Sequence, residues 1–541
     1  MNSFAWWQGA VVYQIYPRSF MDSNQDGIGD LQGMIDRLDY FNDMTENSLG
    51  IDAIWISPFY PSPMKDFGYD VSDYTDVDPM FGDLARFDKL VEEAHKRNIK
   101  IIIDYVPNHT SDQHKWFIES NGSRNNPKHD WYIWRDAKPD GSLPNNWGSM
   151  FGGPAWAWNE KRQQYYFHQF VPEQPDLNWR NPAVREAMFN VLRFWLKRGV
   201  DGFRMDVVNM IWKHLDMPDQ PIIEGTIGRG KNDIHGQQKQ IYSHTYDGVH
   251  TVMKQLRNVL NEFGERVMIG EIWVPLEERM KFHGENGNEF HMPFNFDFIT
   301  LGDHRNTQMW QAATYRELVE AYEAGLPAGG WPNYVMGNHD IPRLASRLGS
   351  EARARLAGLM LLTLRGTPTI YMGEEIGMVN GDIKPEQLQD PQGINLGVEH
   401  TRDICRTPFQ WDSSAFAGFS NVETWLPVNA DYEERNVLKQ KDLENSILSL
   451  YQKLIWYRKQ HNSLAIGSYQ TIEAPQGIYA YLREYADERH LIALNFTDKA
   501  HSMSLSEHGK IILNTAMNRS ETVSDTLSLA ADEGVLIRLL D

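Results

Sequence analysis

Four short apolar runs of this 541-residue sequence end on side chains able to move protons or attack carbon. IKIIIDYVPN (99–108) carries Asp104 and leads to His109, and GFRMD (202–206) carries Arg204 and Asp206. RVMIGEIW (266–273) carries Glu271, and NYVMGNHD (333–340) ends on His339 and Asp340. A lone Asp at a strand end is most often a cap or a turn former. That role accounts for one or two of these positions, not for a set recurring in phase at several strand ends. Residues two apart share a face of a strand, so Arg204 is expected to hold Asp206 charged and lower its pKa. Ile269, Ile272 and Trp273 surround Glu271 with apolar groups, which raise a carboxyl pKa. One ionised and one protonated carboxyl facing each other is the pair that glycoside hydrolysis requires.

The elements that must position these residues alternate along the chain. β-type runs at 11–17, 52–58, 99–108, 200–206, 266–273, 291–298, 333–340 and 367–375 are separated by helix-like stretches. Two of these, LARFDKLVEEAHKRN (84–98) and REAMFNVLRFWLKRG (185–199), have apolar residues at helical spacing. Eight strands alternating with helices predict an α/β fold, the (β/α)8 TIM barrel, with reactive groups at the C-terminal strand ends. A doubly wound sheet would favour a G-x-G-x-x-G after the first run, and none is present. The stretch 105–175, rich in Trp, Asn, Gly and Pro, is too long for a plain βα loop and predicts an inserted lobe after the third strand. After SILSLYQKLIWYRKQ (446–460), runs such as GIYAYLREY and GVLIRLL divided by turn residues predict a C-terminal antiparallel β-domain over 461–541. The barrel then comprises 1–104 and 176–460.

Composition narrows the partners. A net charge of −21 argues against nucleic acid and anionic membranes, which select clustered Lys and Arg. The single cysteine, Cys405, excludes an intrachain disulfide. MNSFAWWQGAVVYQIYPRSF lacks the basic and apolar regions of a signal peptide, and no run is apolar enough to span a membrane, so a cytoplasmic location is expected.

The stretches IIIDYVPNHT, GFRMD, MIGEIW and GNHD resemble the four signature regions of the α-amylase superfamily, the retaining α-glycosidases and transglycosylases of glycoside hydrolase family 13. QPDLNW (174–179), GIDAIWISP (50–58) and GTPTIYMGEE (366–375) match as well, and the resemblance covers nearly the whole chain. It implies Asp206 as nucleophile, Glu271 as general acid and then base, and Asp340 as the carboxylate gripping the 2- and 3-hydroxyls of the reacting glucose. It further implies that His109 and His339 hydrogen-bond that ring, that Arg204 orients Asp206, and that Asp104 is a supporting residue. FGYDVSDY (67–74) and TRDICRTPFQW (401–411) resemble the α-glucosidase and oligo-1,6-glucosidase branch. There Tyr69 would stack on the terminal glucose while Asp66 and Arg402 bind its 4-hydroxyl, closing the site to longer chains. Phe151 and Phe170 match aromatics at the mouth of such sites.

Val207, following Asp206, resembles the oligo-1,6-glucosidase form of this region, where strictly α-1,4 enzymes often carry Thr. The resemblance thus implies an exo-acting α-glucosidase on short α-glucosides, isomaltose-type α-1,6 or maltose-type α-1,4, with possible glucosyl transfer. Trehalose- or sucrose-active enzymes, glucosyltransferases and isomerases share the fold and the triad. A non-catalytic transporter heavy chain would need a membrane span and tolerate loss of the triad, and a metal-dependent barrel hydrolase would need ligand clusters at the strand ends.

DSNQDGIGD (22–30) sets Asp22, Asn24, Asp26, the Ile28 carbonyl and Asp30 at the alternating oxygen-ligand spacing of an EF-hand loop, with Gly27 at position six. Gly33 stands where the closing Glu would be. The α-glucosidase branch commonly holds Ca2+ or Mg2+ at this loop. A structural cation is therefore expected, remote from the chemistry, and no organic cofactor.

Overall fold

The structure of the chain, a computed structural model, describes residues 4–230, 232–301 and 309–540. Seven parallel strands lie in the order Thr369–Tyr371, Val12–Ile15, Ala53–Ile56, Lys100–Tyr105, Gly202–Met205, Val267–Gly270 and Met292–Pro293. The run at 333–340 forms no strand. It closes the ring through two parallel bridges, Asn295 with Tyr334 and Val335 with Thr369. Its pairing stops early because the Asn338 side chain accepts the Asp340 N–H at 2.9 Å, turning the chain away from the ladder. The sixth strand is cut to two residues by Pro293, which has no N–H to donate.

Side chains along these strands alternate between two cores. Val12, Ala53, Trp55, Ile102, Val267, Ile269 and Val335 pack together inside the ring. Tyr13, Ile54, Ile56, Ile101, Ile103 and Phe203 face the surrounding helices. The period of two therefore carries the inward file of one strand from Ile102 to Asp104, of the next from Gly202 to Arg204, and of the third from Ile269 to Glu271. Gly202 opens that interior: a Cβ there would lie 2.6 Å from the Val267 carbonyl oxygen.

Helix Leu84–Lys96 starts where the Asp83 side chain accepts the Arg86 N–H. Helix Pro182–Lys197 starts three residues before the apolar periodicity, because Asn181 caps it and Pro182 occupies its first position. Between the third and fourth barrel strands, Trp134–Arg135, Gln164–Phe167 and Trp156–Asn159 form a small antiparallel sheet. Bridges from His109 to Asp176 and Tyr132 to Leu177 stitch this segment to the barrel top. Beyond helix Ile447–Gln460, a six-stranded antiparallel sheet and a two-stranded ribbon enclose their own apolar core, including Leu491, Ile511, Leu527 and Val535.

Candidate active site

Strand register decides which acids meet. Asp104 lies opposite Arg204 and Met205 opposite Gly270 in the parallel ladders. The chain holds that level one residue further: the Asp206 N–H donates to the Tyr105 carbonyl and the Glu271 N–H to the Met205 carbonyl, both at 2.9 Å. Asp206 and Glu271 are thereby neighbours at the rim. Buried Arg204 serves both, with Nη1 at 2.8 Å from Asp206 Oδ1 and 2.5 Å from Asp104 Oδ1, and Nη2 on Glu271 Oε2 at 2.5 Å. Glu271 also accepts the Val207 N–H at 3.1 Å and the Trp273 indole N–H at 2.6 Å.

Arg204 does act to lower the pKa of Asp206, as expected, but the net shift is upward. Burial, then the Glu271 carboxylate, push Asp206 well above the usual carboxylate range, with Arg204 only partly opposing them. Burial likewise raises Asp104 to about 6.

Asp340 differs. Burial opposes its charge, yet His339, Arg402 and Arg406 hold its carboxyl below the usual range. Arg406 Nη2 stands 2.8 Å and Arg402 Nη1 3.2 Å from Asp340 Oδ1. Arg402 also reaches Asp66 Oδ1 at 2.7 Å and Asp390 Oδ1 at 2.5 Å, and its guanidinium lies 4.9 Å from the Phe151 ring centroid. Gln174 donates to Asp66 at 3.1 Å and lies 3.0 Å from His109 Nε2. Asp66, His109, Phe151, Asp206, Glu271, Asp340 and Arg402 line one cavity of about 1170 Å3 together with Tyr69, Phe170, Val207 and Trp273. Phe151, Phe170, Val207 and Met210 form one apolar wall. Val207 takes φ 38°, ψ 40°, the left-handed region that a β-branched residue rarely enters.

His109 reaches the cavity, and burial holds its pKa down at about 4, so the ring is neutral. His339 instead stands behind Tyr69: the rings stack 5.4 Å apart at 3°, and Nε2 is 2.7 Å from the Tyr69 hydroxyl. Its Nδ1 faces Gln14 Nε2 at 2.7 Å. Arg204 is also a supporting wall beneath the acids. Asp390 was illegible in the sequence because DPQGINL belongs to no strand end. Arg406 and Gln174 stood inside recognised stretches, and their contacts depend on chain segments far apart.

In the loop 22–30 the donors are hard oxygens, and Gly27 takes φ 85° where the chain doubles back. Asp22 accepts the N–H groups of Asn24, Gln25 and Gly27 and the Ser420 hydroxyl. Asp30 accepts from Ser23 and Gly33, and Asp26 from Asn24 and Ile28. The donor chemistry suits Ca2+ or Mg2+, although among the described residues no three His, Cys, Asp or Glu side chains gather at ligand distance.

Residues 14–467 match the family model of the α-amylase catalytic domain. The chain is 41% identical to a probable α-glucosidase of Rhizobium meliloti (strain 1021), over 92% of this chain and 91% of that protein. It is 40% identical to an oligo-1,6-glucosidase of Parageobacillus thermoglucosidasius, over 93% and 92% of the two chains. Among solved structures, an α-glucosyl transfer enzyme, XgtA, superposes with a TM-score of 0.91 at 37% identity, covering 99% of this chain and 100% of that one. Strand-end acids, register and these likenesses agree: the chain belongs to the α-amylase superfamily, glycoside hydrolase family 13, and is a glycoside hydrolase.

Proposed function

We propose that this enzyme is a retaining, exo-acting α-glucosidase that releases glucose from the non-reducing end of short α-glucosides. The observation carrying this reading is Arg402, one side chain that joins Asp340, beside the reacting carboxyls, to Asp66 and Asp390 and so walls off the cavity one sugar beyond the site of cleavage. Asp206 attacks C1 while Glu271 gives its proton to the leaving oxygen. A glucosyl ester forms, the glycosidic bond breaks, and Glu271 then takes a proton from the water that frees glucose. Each step needs one ionised and one protonated carboxyl, and Asp206 and Glu271 stand as neighbours at the rim to take those roles. Glu271 accepts hydrogen bonds from Arg204, the Val207 N–H and the Trp273 indole, which fix its orientation, and Asp206 accepts from Arg204. The ionised Asp340 accepts from ring hydroxyls, and Tyr69 offers its face to the sugar.

The apolar wall that includes Val207 supports a preference for α-1,6 linkages, as in the oligo-1,6-glucosidase relative. Further apolar side chains in the cavity lining, Ile227, Ile341 and Ile404, favour an alcohol over water as acceptor and support some glucosyl transfer, the activity named for XgtA. The test is glucose release from equal concentrations of maltose, isomaltose, trehalose and sucrose, with Asp206→Asn as control. Isomaltose turnover that vanishes in the variant is expected. Activity surviving in Asp206→Asn refutes the nucleophile, and a preference for trehalose or sucrose refutes the substrate class.

We further propose a structural Ca2+ or Mg2+ held by Asp22, Asn24, Asp26, the Ile28 carbonyl and Asp30, and a cytoplasmic enzyme. Oxygen donors and the glycine turn support the cation. The lone Cys405, buried with its thiol pushed up to about 12 by burial, is consistent with a reducing compartment. Chelator is expected to lower the melting temperature and Ca2+ to restore it. An unchanged melting temperature overturns the cation.

A further inference from the structure

A second cavity, of about 340 Å3, lies at the seam between the inserted segment and the barrel. Arg135 and Arg162 enter it from the inserted segment, Arg180 and Lys213 from the chain that flanks the fourth barrel strand. Lys213 is committed: its Nζ donates to Asn108 Oδ1 at 2.7 Å and to Asp176. The three arginines are held by hydrogen bonds to uncharged acceptors alone. Among the described residues none of them forms an ion pair, in a chain with 73 acidic and 52 basic residues. They donate to backbone and amide oxygens instead: Arg135 to the Leu215 carbonyl at 2.7 Å, Arg180 to the Lys213 carbonyl at 2.8 Å, and Arg162 to the Ser120 and His129 carbonyls and Gln164.

Three guanidiniums face a single lining acid, Asp130, so an anion bound there completes the charge balance. The aromatic rings at this seam do not compete as a sugar platform. Arg162 lies 4.0 Å over the Trp134 ring and Arg180 4.7 Å over Trp212, so guanidinium already occupies the faces a pyranose would need. The acids nearby offset this charge only in part: Asp130 lines the cavity and with exposed Asp136 acts on Arg162, and exposed Asp216 acts on Arg135, yet burial outweighs them at both.

We infer that this seam cavity binds a phosphate group, carried by inorganic phosphate or by a phosphorylated sugar, clipping the inserted segment to the barrel through Arg135 and Arg180. The cavity volume falls at the small end of ligand sites, adequate for a phosphorylated monosaccharide and too small for a nucleic acid or a folded partner. Burial lowers the pKa of Arg135 and takes Arg162 to about 10, the direction an uncompensated cation shows. A ligand that holds two segments together only in the folded chain raises its melting temperature with concentration.

The test is thermal unfolding and isothermal titration of the whole chain with inorganic phosphate, with glucose 6-phosphate, and with chloride at matched ionic strength. Saturable heat and a rising melting temperature with phosphate but not chloride are expected. Glucose 6-phosphate saturating at lower concentration assigns the sugar ester as the ligand, and equal saturation assigns the phosphate group alone. Arg135→Gln and Arg180→Gln are expected to lose the response while Arg180→Lys keeps most of it, with glucose release in the absence of phosphate unchanged. The proposal is overturned if chloride acts as phosphate does, if no saturable heat is found, or if both glutamine variants respond as the unmodified chain does. Titration of the unmodified chain decides the matter even where a variant does not fold.

Discussion

Replacing Glu374 by Gln is expected to stabilise the enzyme, and to do so only as the pH rises. Glu374 follows the strand Thr369–Tyr371 and is buried, and neither carboxyl oxygen has a hydrogen-bond partner among the described residues. Burial pushes its pKa from 4.5 to about 8; the Arg347 charge opposes this and the Glu375 carboxylate adds to it. Between those two values the folded chain keeps the proton that the unfolded chain has lost. The folded state binds more protons, so stability falls as pH rises through this window. At about 1.4 kcal/mol per unit, the loss from pH 4.5 to pH 8 is on the order of 5 kcal/mol. Gln has the shape of the protonated acid and does not titrate. Denaturant midpoints followed by tryptophan fluorescence should therefore nearly coincide for the two proteins at pH 5. They should separate by pH 8, with Glu374→Gln the more resistant. The buried histidines, with depressed pKa values such as about 4 at His109 and about 3 at His339, destabilise the fold below about pH 6.5. They do so equally in both proteins and cancel in the difference. A gap between the two midpoints that is the same at pH 5 and pH 8 would refute the reasoning.

Val207→Thr keeps the β-branch that the left-handed backbone already tolerates but sets a hydroxyl against Phe151, Phe170 and Met210. The ratio of kcat/KM for isomaltose to that for maltose should fall by about 10–200-fold, and an unchanged ratio removes Val207 from specificity. Arg402→Met strips the shared cation from buried Asp66 and Asp390, while Asp340 retains Arg406. Stability should drop by about 3–5 kcal/mol, read as a lower denaturant midpoint, and glucose release should be lost. A variant as stable and active as the parent would show that Arg402 is no clamp.

The sequence by itself determined the architecture and singled out the candidate acids, because both depend on short-range regularities. Alternation of period two puts Ile102 with Asp104 and Gly202 with Arg204 on one face whatever the neighbours are, and strand ends follow from where the apolar runs stop. Motifs such as GFRMD and MIGEIW are local as well. Even there local rules had limits: the run at 333–340 reads as a strand, yet the Asn338 turn reduces it to single bridges. Tertiary structure alone decided the electrostatics. The Arg204–Asp206 spacing implied one cation for one acid, but burial, and then the Glu271 and Asp104 carboxyls that the parallel register brings to the same guanidinium, outweigh Arg204 and raise Asp206. Likewise Asp66, Asp340, Asp390 and Arg402 meet from four loops, and the arginines of the seam cavity meet from two segments. Charge acts through distance in space and through burial, and neither is encoded at any fixed separation along a chain.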